Sequence, residues 1–230
     1  MLTLALETSA AGGSIALLQG DALLAGEGLP ADRRSASALA PAVAAMLQKL
    51  GIQPADIGLV ATTIGPGSFT GLRVGVTTAK ALAYAIGCDA IGLDTLDVIA
   101  WQAPRTADSG SELHALLDAQ RKELFLARYR CIEGGPVRVG ENQIISAEQW
   151  LASLAPGTIV TGPGLSKIEQ RLPHDVTAVE PAHRPPQAET VARLALAAHA
   201  RGRRDDVWKL APAYLRASAA EEKASQAPSS

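Results

Sequence analysis

The sequence predicts an α/β fold built twice, and three observations carry that expectation. Short β-rich runs alternate with runs of helical apolar spacing. An acid closes the first strand of each half, at Glu7 and Asp118, and a Gly-Pro-Gly turn follows a β-branched strand in each half, at Gly65-Pro66-Gly67 and Gly162-Pro163-Gly164. Leu6-Glu7-Thr8 ahead of Ile15-Ala16-Leu17 matches Leu117-Asp118-Ala119 ahead of Leu126-Ala127-Arg128. Two features recurring in one order indicate a duplicated unit.

The elements follow in order. Leu2 to Leu6, Ser14 to Leu18 and Ala22 to Glu27 read as three strands joined by tight turns at Ala11-Gly12-Gly13 and Gln19-Gly20-Asp21. From Ser35 to Leu50, Leu39, Val43, Met46, Leu47 and Leu50 recur at helical spacing, with Gly51 as a stop and Pro41 marking either a start or a kink. Ile57 to Ile64 reads as a strand, Thr70 to Ile86 as a helix, Ala90 to Leu93 as a strand and Thr95 to Gln102 as a short helix. Pro104 to Ser111 is polar and rich in breakers, so residues 104–111 are expected to link a domain at 1–103 to a smaller one at 112–216. In the second domain His114 to Leu117, Glu123 to Arg130, Val137 to Ile145 and Thr158 to Thr161 read as strands. Ala147 to Leu154, Leu165 to Leu172 and Glu189 to Arg201 read as helices, and 217–230 has the composition of a disordered tail.

Composition narrows the function. Hydrophobic residues make up 47% and aromatic residues only 3%, so the cores must be built from Ala, Leu, Val and Ile with helices approaching closely. A net charge of −2 gives no overall attraction to nucleic acid, which disfavours a stand-alone RNA binder. Cys88 and Cys131 match no metal spacing, the start of the chain lacks a basic segment, and no apolar run reaches the roughly 20 residues of a membrane span; the expectation is a cytoplasmic protein.

The loop Gly65-Pro66-Gly67-Ser68-Phe69-Thr70-Gly71 stands between a strand and a helix, where backbone amides can face an anion or a closely approaching chain. Glu7, Thr8, Ser9, Gly12 and Gly13 are the candidate nucleotide-binding residues: the acid would orient water or a cation while the turn approaches phosphate. The plain alternative is a strand-end carboxylate capping nearby amides. Gln120-Arg121-Lys122 replace the small turn residues in the second half, which argues against a second phosphate site. The loop fits neither Gly-x-Ser-x-Gly nor the P-loop pattern, and Ser68 reads as a helix N-cap; no catalytic or metal-binding residue is assigned. Arg201, Arg203, Arg204, Lys209 and Arg216, interrupted by Asp205 and Asp206, read as a solvated helix end.

Leu6-Glu7-Thr8-Ser9, the run from Gly65 to Gly75, Ile91-Gly92-Leu93-Asp94-Thr95-Leu96, Leu117-Asp118-Ala119-Gln120 and Pro212-Ala213-Tyr214-Leu215-Arg216 together resemble the TsaB (YeaZ) family, over nearly all of residues 1–216. The resemblance implies the duplicated fold of actin, Hsp70 chaperones and sugar kinases, here with a degenerate C-terminal half. It also implies a non-catalytic subunit that dimerises with TsaD in making threonylcarbamoyladenosine in tRNA, beside the ATPase partner TsaE. TsaD places a His-x-x-x-His metal site where this chain has Thr95 and Ile99, which cannot serve as those ligands. By the same resemblance the subunit requires no cofactor of its own, ATP or ADP belongs to the complex, tRNA is met through the complex, and the isolated chain can form a homodimer. Family dimers pack N-terminal helices together, which assigns Gly71, Val74, Gly75, Thr78, Ala79, Leu82 and Ala83 to the interface. An independent ATPase or kinase using Glu7 and the glycine turns is the alternative, with a peptidase behind it.

Overall fold

The computed structural model describes residues 1–30, 35–103 and 110–216, and for residues 35–37 the backbone alone. Of the proposed linker at 104–111, residues 104–109 lie outside the described residues, as does the tail at 217–230. Strands β1 (Leu2–Glu7), β2 (Ser14–Gln19) and β3 (Ala22–Gly28) form an antiparallel meander. After α1 (Ser35–Leu50), β4 (Ile57–Gly65) returns parallel to β1, and after α2 (Phe69–Ile86), β5 (Asp89–Asp94) lies parallel to β4 and leads into α3 (Thr95–Gln102). The sheet order is β3-β2-β1-β4-β5. Helix α1 begins at Ser35 and continues through Pro41, so the proline does not start it.

The second half repeats this plan with β6 (Glu112–Asp118), β7 (Glu123–Ile132), β8 (Gly135–Ser146), α4 (Ala147–Ala152), β9 (Ile159–Thr161), β10 (Thr177–Ala178) and α5 (Ala188–Ala200). Its order, β10-β9-β6-β7-β8, is the first order read from the other edge. The duplication expected from the acid-ended strands and glycine turns is therefore the architecture. One detail of the sequence alignment shifts. Leu6 pairs with Ile15 but Leu117 pairs with Phe125, so the counterpart of Ile15 is Phe125 and not Leu126. The second hairpin is tighter because Gln120, Arg121 and Lys122 all adopt left-handed backbone, with φ of 65°, 53° and 64°.

The expected helix from Leu165 to Leu172 does not form. Two 3₁₀ turns, Pro163–Lys167 and Glu169–Arg171, stand in its place. Leu165 and Ile168 are the buried pair, and a spacing of three aligns them on one side of a three-residue turn. Gly164 presses this segment onto β6, where a Cβ would stand 3.0 Å from the Leu117 carbonyl carbon. With β9 and β10 reduced to three and two residues, the second half is the degenerate one.

Alternation along the strands builds two faces on each sheet. Leu4, Leu6, Ile15 and Leu17 pack with Val43, Met46 and Leu47 of α1 and Val76 of α2. Ala5, Ala16, Leu18 and Ala61 face Val191, Ala192 and Ala195 of α5. Leu96, Ile99 and Ala100 of α3 pack on Leu113, Ala115 and Leu117 of β6. Each half thus covers one face of its sheet with a helix that the chain reaches next to the other half, and alanines let α5 approach closely in place of large rings.

Candidate functional site

The two Gly-Pro turns face one another across a cleft of about 670 Å³. One wall is Ser9, Ala10, Ala11 and the segment from Pro66 to Phe69; the other includes Leu117, Asp118, Gln120, Arg121 and Phe125 with Pro163 and Ser166. Residues 213–216 close a third side.

The first wall is held by bonds within the chain. The Ser68 hydroxyl caps α2 by accepting from the Gly71 amide at 3.2 Å, as its position predicts. The Ser68 amide donates to the Ser9 carbonyl at 2.7 Å. Gly67 permits that approach, since a Cβ there would stand 2.5 Å from the same carbonyl oxygen. The Thr8 hydroxyl donates to the Gly71 carbonyl at 2.8 Å. Glu7 is enclosed, and its Oε1 accepts from the Ser9 amide at 2.7 Å, from the Ser9 hydroxyl, and from the Thr63 hydroxyl at 3.2 Å. Burial outweighs those donors and pushes the Glu7 carboxyl up to about 7.

Of the five residues expected to meet a nucleotide, Ser9 alone lines the cleft. Glu7 and Thr8 are buried behind it, and Gly12 and Gly13 complete the turn at φ of 84° and 27°. Donors that a phosphate cradle would present, the Ser9 and Ser68 amides, are already bonded to protein oxygens. Asp118, the counterpart of Glu7, has a different fate: its carboxylate caps the Gln120 amide at 2.9 Å and pairs with Lys167.

The seven residues of the interface strip divide by burial. Gly71, Gly75, Ala79 and Ala83 are buried on the chain's own sheet, and a Cβ at Gly71 would stand 1.9 Å from the Thr8 carbonyl oxygen. Their small size serves the contact of α2 with β1 and β4, because those strands approach the helix backbone too closely for larger side chains. Val74, Thr78 and Leu82 are half-buried beside them, with Val74 and Leu82 packed against the core. Among the described residues no histidine lines the cleft; His114 accepts from the Trp150 indole at 3.1 Å and contacts Glu112, while His199 contacts Asp89. Thr95 and Ile99 are both fully buried.

Two groups escaped the sequence reading. Arg138 joins Asp94 at 3.0 Å and Asp97 at 2.6 Å, with Tyr129 and Asn142 bonded into the cluster. Nothing in residue spacing marks it, since β5–α3 and β7–β8 meet only in three dimensions. The second is the segment after α5: Arg201, Arg204 and Lys209 are exposed as a solvated end would have them, but Arg203 and Arg216 are bonded across the fold. Arg203 binds the Gly92 carbonyl at 2.7 Å, and Arg216 reaches the Ala119 carbonyl and the Glu123 carboxylate. The acids interrupting the basic run were the available signal: Asp205 accepts from the Gly92 amide at 2.8 Å.

Two sheets of the same strand order, each sending a glycine turn to a shared cleft, define a duplicated actin-like fold. A family model described as "TsaD: tRNA N6-adenosine threonylcarbamoyltransferase" matches residues 30–224, and the fold matches that of YeaZ from Pseudomonas aeruginosa at a TM-score of 0.77 and 27% identity, covering 93% of this chain and 99% of that one. The chain belongs to this family, within its TsaB/YeaZ group. It is 31% identical over 155 residues to the Bacillus subtilis tRNA threonylcarbamoyladenosine biosynthesis protein TsaB, covering 67% of this chain and 66% of that one. It is also 37% identical over 110 residues to an uncharacterized Mycobacterium tuberculosis protein, covering 47% of this chain and 49% of the relative, so the match spans about half that relative's length.

Proposed function

We propose that this chain serves tRNA threonylcarbamoyladenosine biosynthesis as a supporting subunit that performs no chemistry itself and pairs with a TsaD-type transferase. The observation that carries the reading is the stitched first wall, in which Glu7 accepts from Ser9 and Thr63, the Ser68 amide donates to Ser9, Thr8 and Ser68 both bond Gly71, and Ser9 alone of the candidate set meets the cleft. The name of the Bacillus subtilis relative and the matching family model support the pathway. In this reading the α1–α2 side, including half-buried Val74, Thr78 and Leu82, faces the partner, or a second copy when the chain is alone. A TsaE-type ATPase and tRNA join through the complex, where ATP or ADP acts. The activity sits in the cytoplasm; no helix among the described residues is long and apolar enough to cross a membrane.

The test is reconstitution of tRNA modification with and without this chain. Product formation should depend on it, while the chain alone turns over neither ATP nor peptide. Unchanged product in its absence would remove the role. The cleft between two glycine turns favours a second reading, an ATPase, which ATP turnover by the purified chain and its loss in Glu7→Ala would establish instead.

A further inference from the structure

The segment from 203 to 216 leaves α5 and crosses from one half to the other at the cleft. On the first half its anchors are many. The Asp205 amide donates to the Ala90 carbonyl at 3.1 Å, Leu210 is buried in the core, and Lys80 holds the carbonyls of Trp208 and Leu210 at 3.1 and 2.9 Å. The Ala213 amide donates to the Ile64 carbonyl at 2.7 Å, at the end of β4. Tyr214 then stacks on Phe69 with ring centres 4.7 Å apart, and its hydroxyl accepts from Arg73 at 3.0 Å. Among the described residues, the strap bonds to the second half through Arg216, to the carbonyl of Ala119 and the carboxylate of Glu123.

Those two acceptors flank the turn of Gln120, Arg121 and Lys122, whose left-handed backbone is disfavoured for residues with a side chain. The turn therefore depends on its bonds, among them Ala119 amide to Glu123 carbonyl, Glu123 amide to Gln120 carbonyl, Gln120 amide to the Asp118 carboxylate, Ala147 amide to Lys122 carbonyl, and the guanidinium of Arg216 across both ends. Other described links between the halves, among them the exchanged helices α3 and α5 and the cluster that Arg138, Tyr129 and Asn142 form with Asp94 and Asp97, do not line the cleft.

We propose that this strap is a latch with Arg216 as its pin, holding the two cleft walls at their present separation. An occupant larger than the cleft enters only when Arg216 releases the Ala119–Glu123 turn, while the strap stays bound to the first half. The asymmetry of anchoring decides which end lets go.

Spin labels at Ala11→Cys and Ser166→Cys, two exposed cleft-lining positions, report the separation in a chain carrying Cys88→Ser and Cys131→Ala. The full chain should give one narrow distance distribution. Arg216→Ala should lengthen and broaden it by about 2 Å or more, the scale of a domain rearrangement. Glu123→Gln should move it in the same direction by less, Arg216→Lys should fall between, and amide exchange at Ala119 and Glu123 should accelerate about tenfold in Arg216→Ala. Glu123→Gln carries the test if Arg216→Ala fails to fold. A distribution unchanged from that of the unsubstituted chain in the folded variants would overturn the latch.

Discussion

Gly75 on α2 approaches Thr8 on the turn after β1 so closely that a Cβ would stand 2.2 Å from the Thr8 hydroxyl oxygen and 3.2 Å from that of Thr62. The Thr8 hydroxyl is held by its bond to the Gly71 carbonyl and has little room to yield. Gly75→Ala should therefore destabilise the chain by about 1–3 kcal/mol, the usual cost of overpacking. Urea unfolding measures it, and combining the change with Thr8→Ala should recover part of the loss because the two sites are in contact. Strict additivity would disprove the contact.

Partner pairing should respond to the opposite side of α2. Ala81 is exposed one turn from Thr78 and beside Leu82. Ala81→Arg should abolish pairing with a TsaD-type partner in size-exclusion chromatography while leaving the melting temperature of the isolated chain unchanged, since both residues are good helix formers. Retained pairing would place the interface elsewhere.

Glu7 should make stability fall with rising pH. Burial pushes its carboxyl up to about 7 in the fold, above its ordinary value of 4.5, so the fold prefers the protonated form. The penalty is absent below about pH 4.5, grows as pH rises through the interval, and is complete above 7, where it amounts to about 3 kcal/mol. Urea midpoints from pH 5 to 8 should show the decline in the unsubstituted chain and a flatter profile in Glu7→Gln. Parallel profiles would exclude Glu7 as the source.

Arg138 pairs with Asp97 and with Asp94, whose carboxylate burial would otherwise penalise. Asp94 is pushed up by burial and by its neighbour Asp97, and Arg138 opposes both. Arg138→Met should cost about 2 kcal/mol at neutral pH by leaving half-buried charge unpaired. The difference from the unsubstituted chain should shrink as pH falls and the Asp94 carboxyl takes up a proton. A cost that does not vary with pH would point to lost packing alone.

Much of this molecule is legible in residue order. The strand and helix runs of the first half coincide with the elements to within a residue or two, because alternating and 3.6-residue apolar spacing select the faces that must be buried. Ser68 as N-cap and the paired Gly-Pro turns were equally readable, since capping and turn geometry depend on neighbouring residues. The segment from Leu165 to Leu172 failed because a short run with apolar residues three apart satisfies either helical period, and contact with β6 selected the tighter one.

The sequence by itself determined the duplication, the turns and the small-residue face of α2, all of which follow from local spacing. Tertiary structure decided what those features meet. Gly71 and Gly75 face Thr8 and not a partner, Glu7 sits behind the cleft wall and not in it, and Arg216 grips a turn nearly a hundred positions away in the chain. The physical reason is common to all three: size and charge are properties of a residue, whereas the oxygen or backbone standing opposite is supplied by a segment brought near only when the two sheets have folded and exchanged their helices.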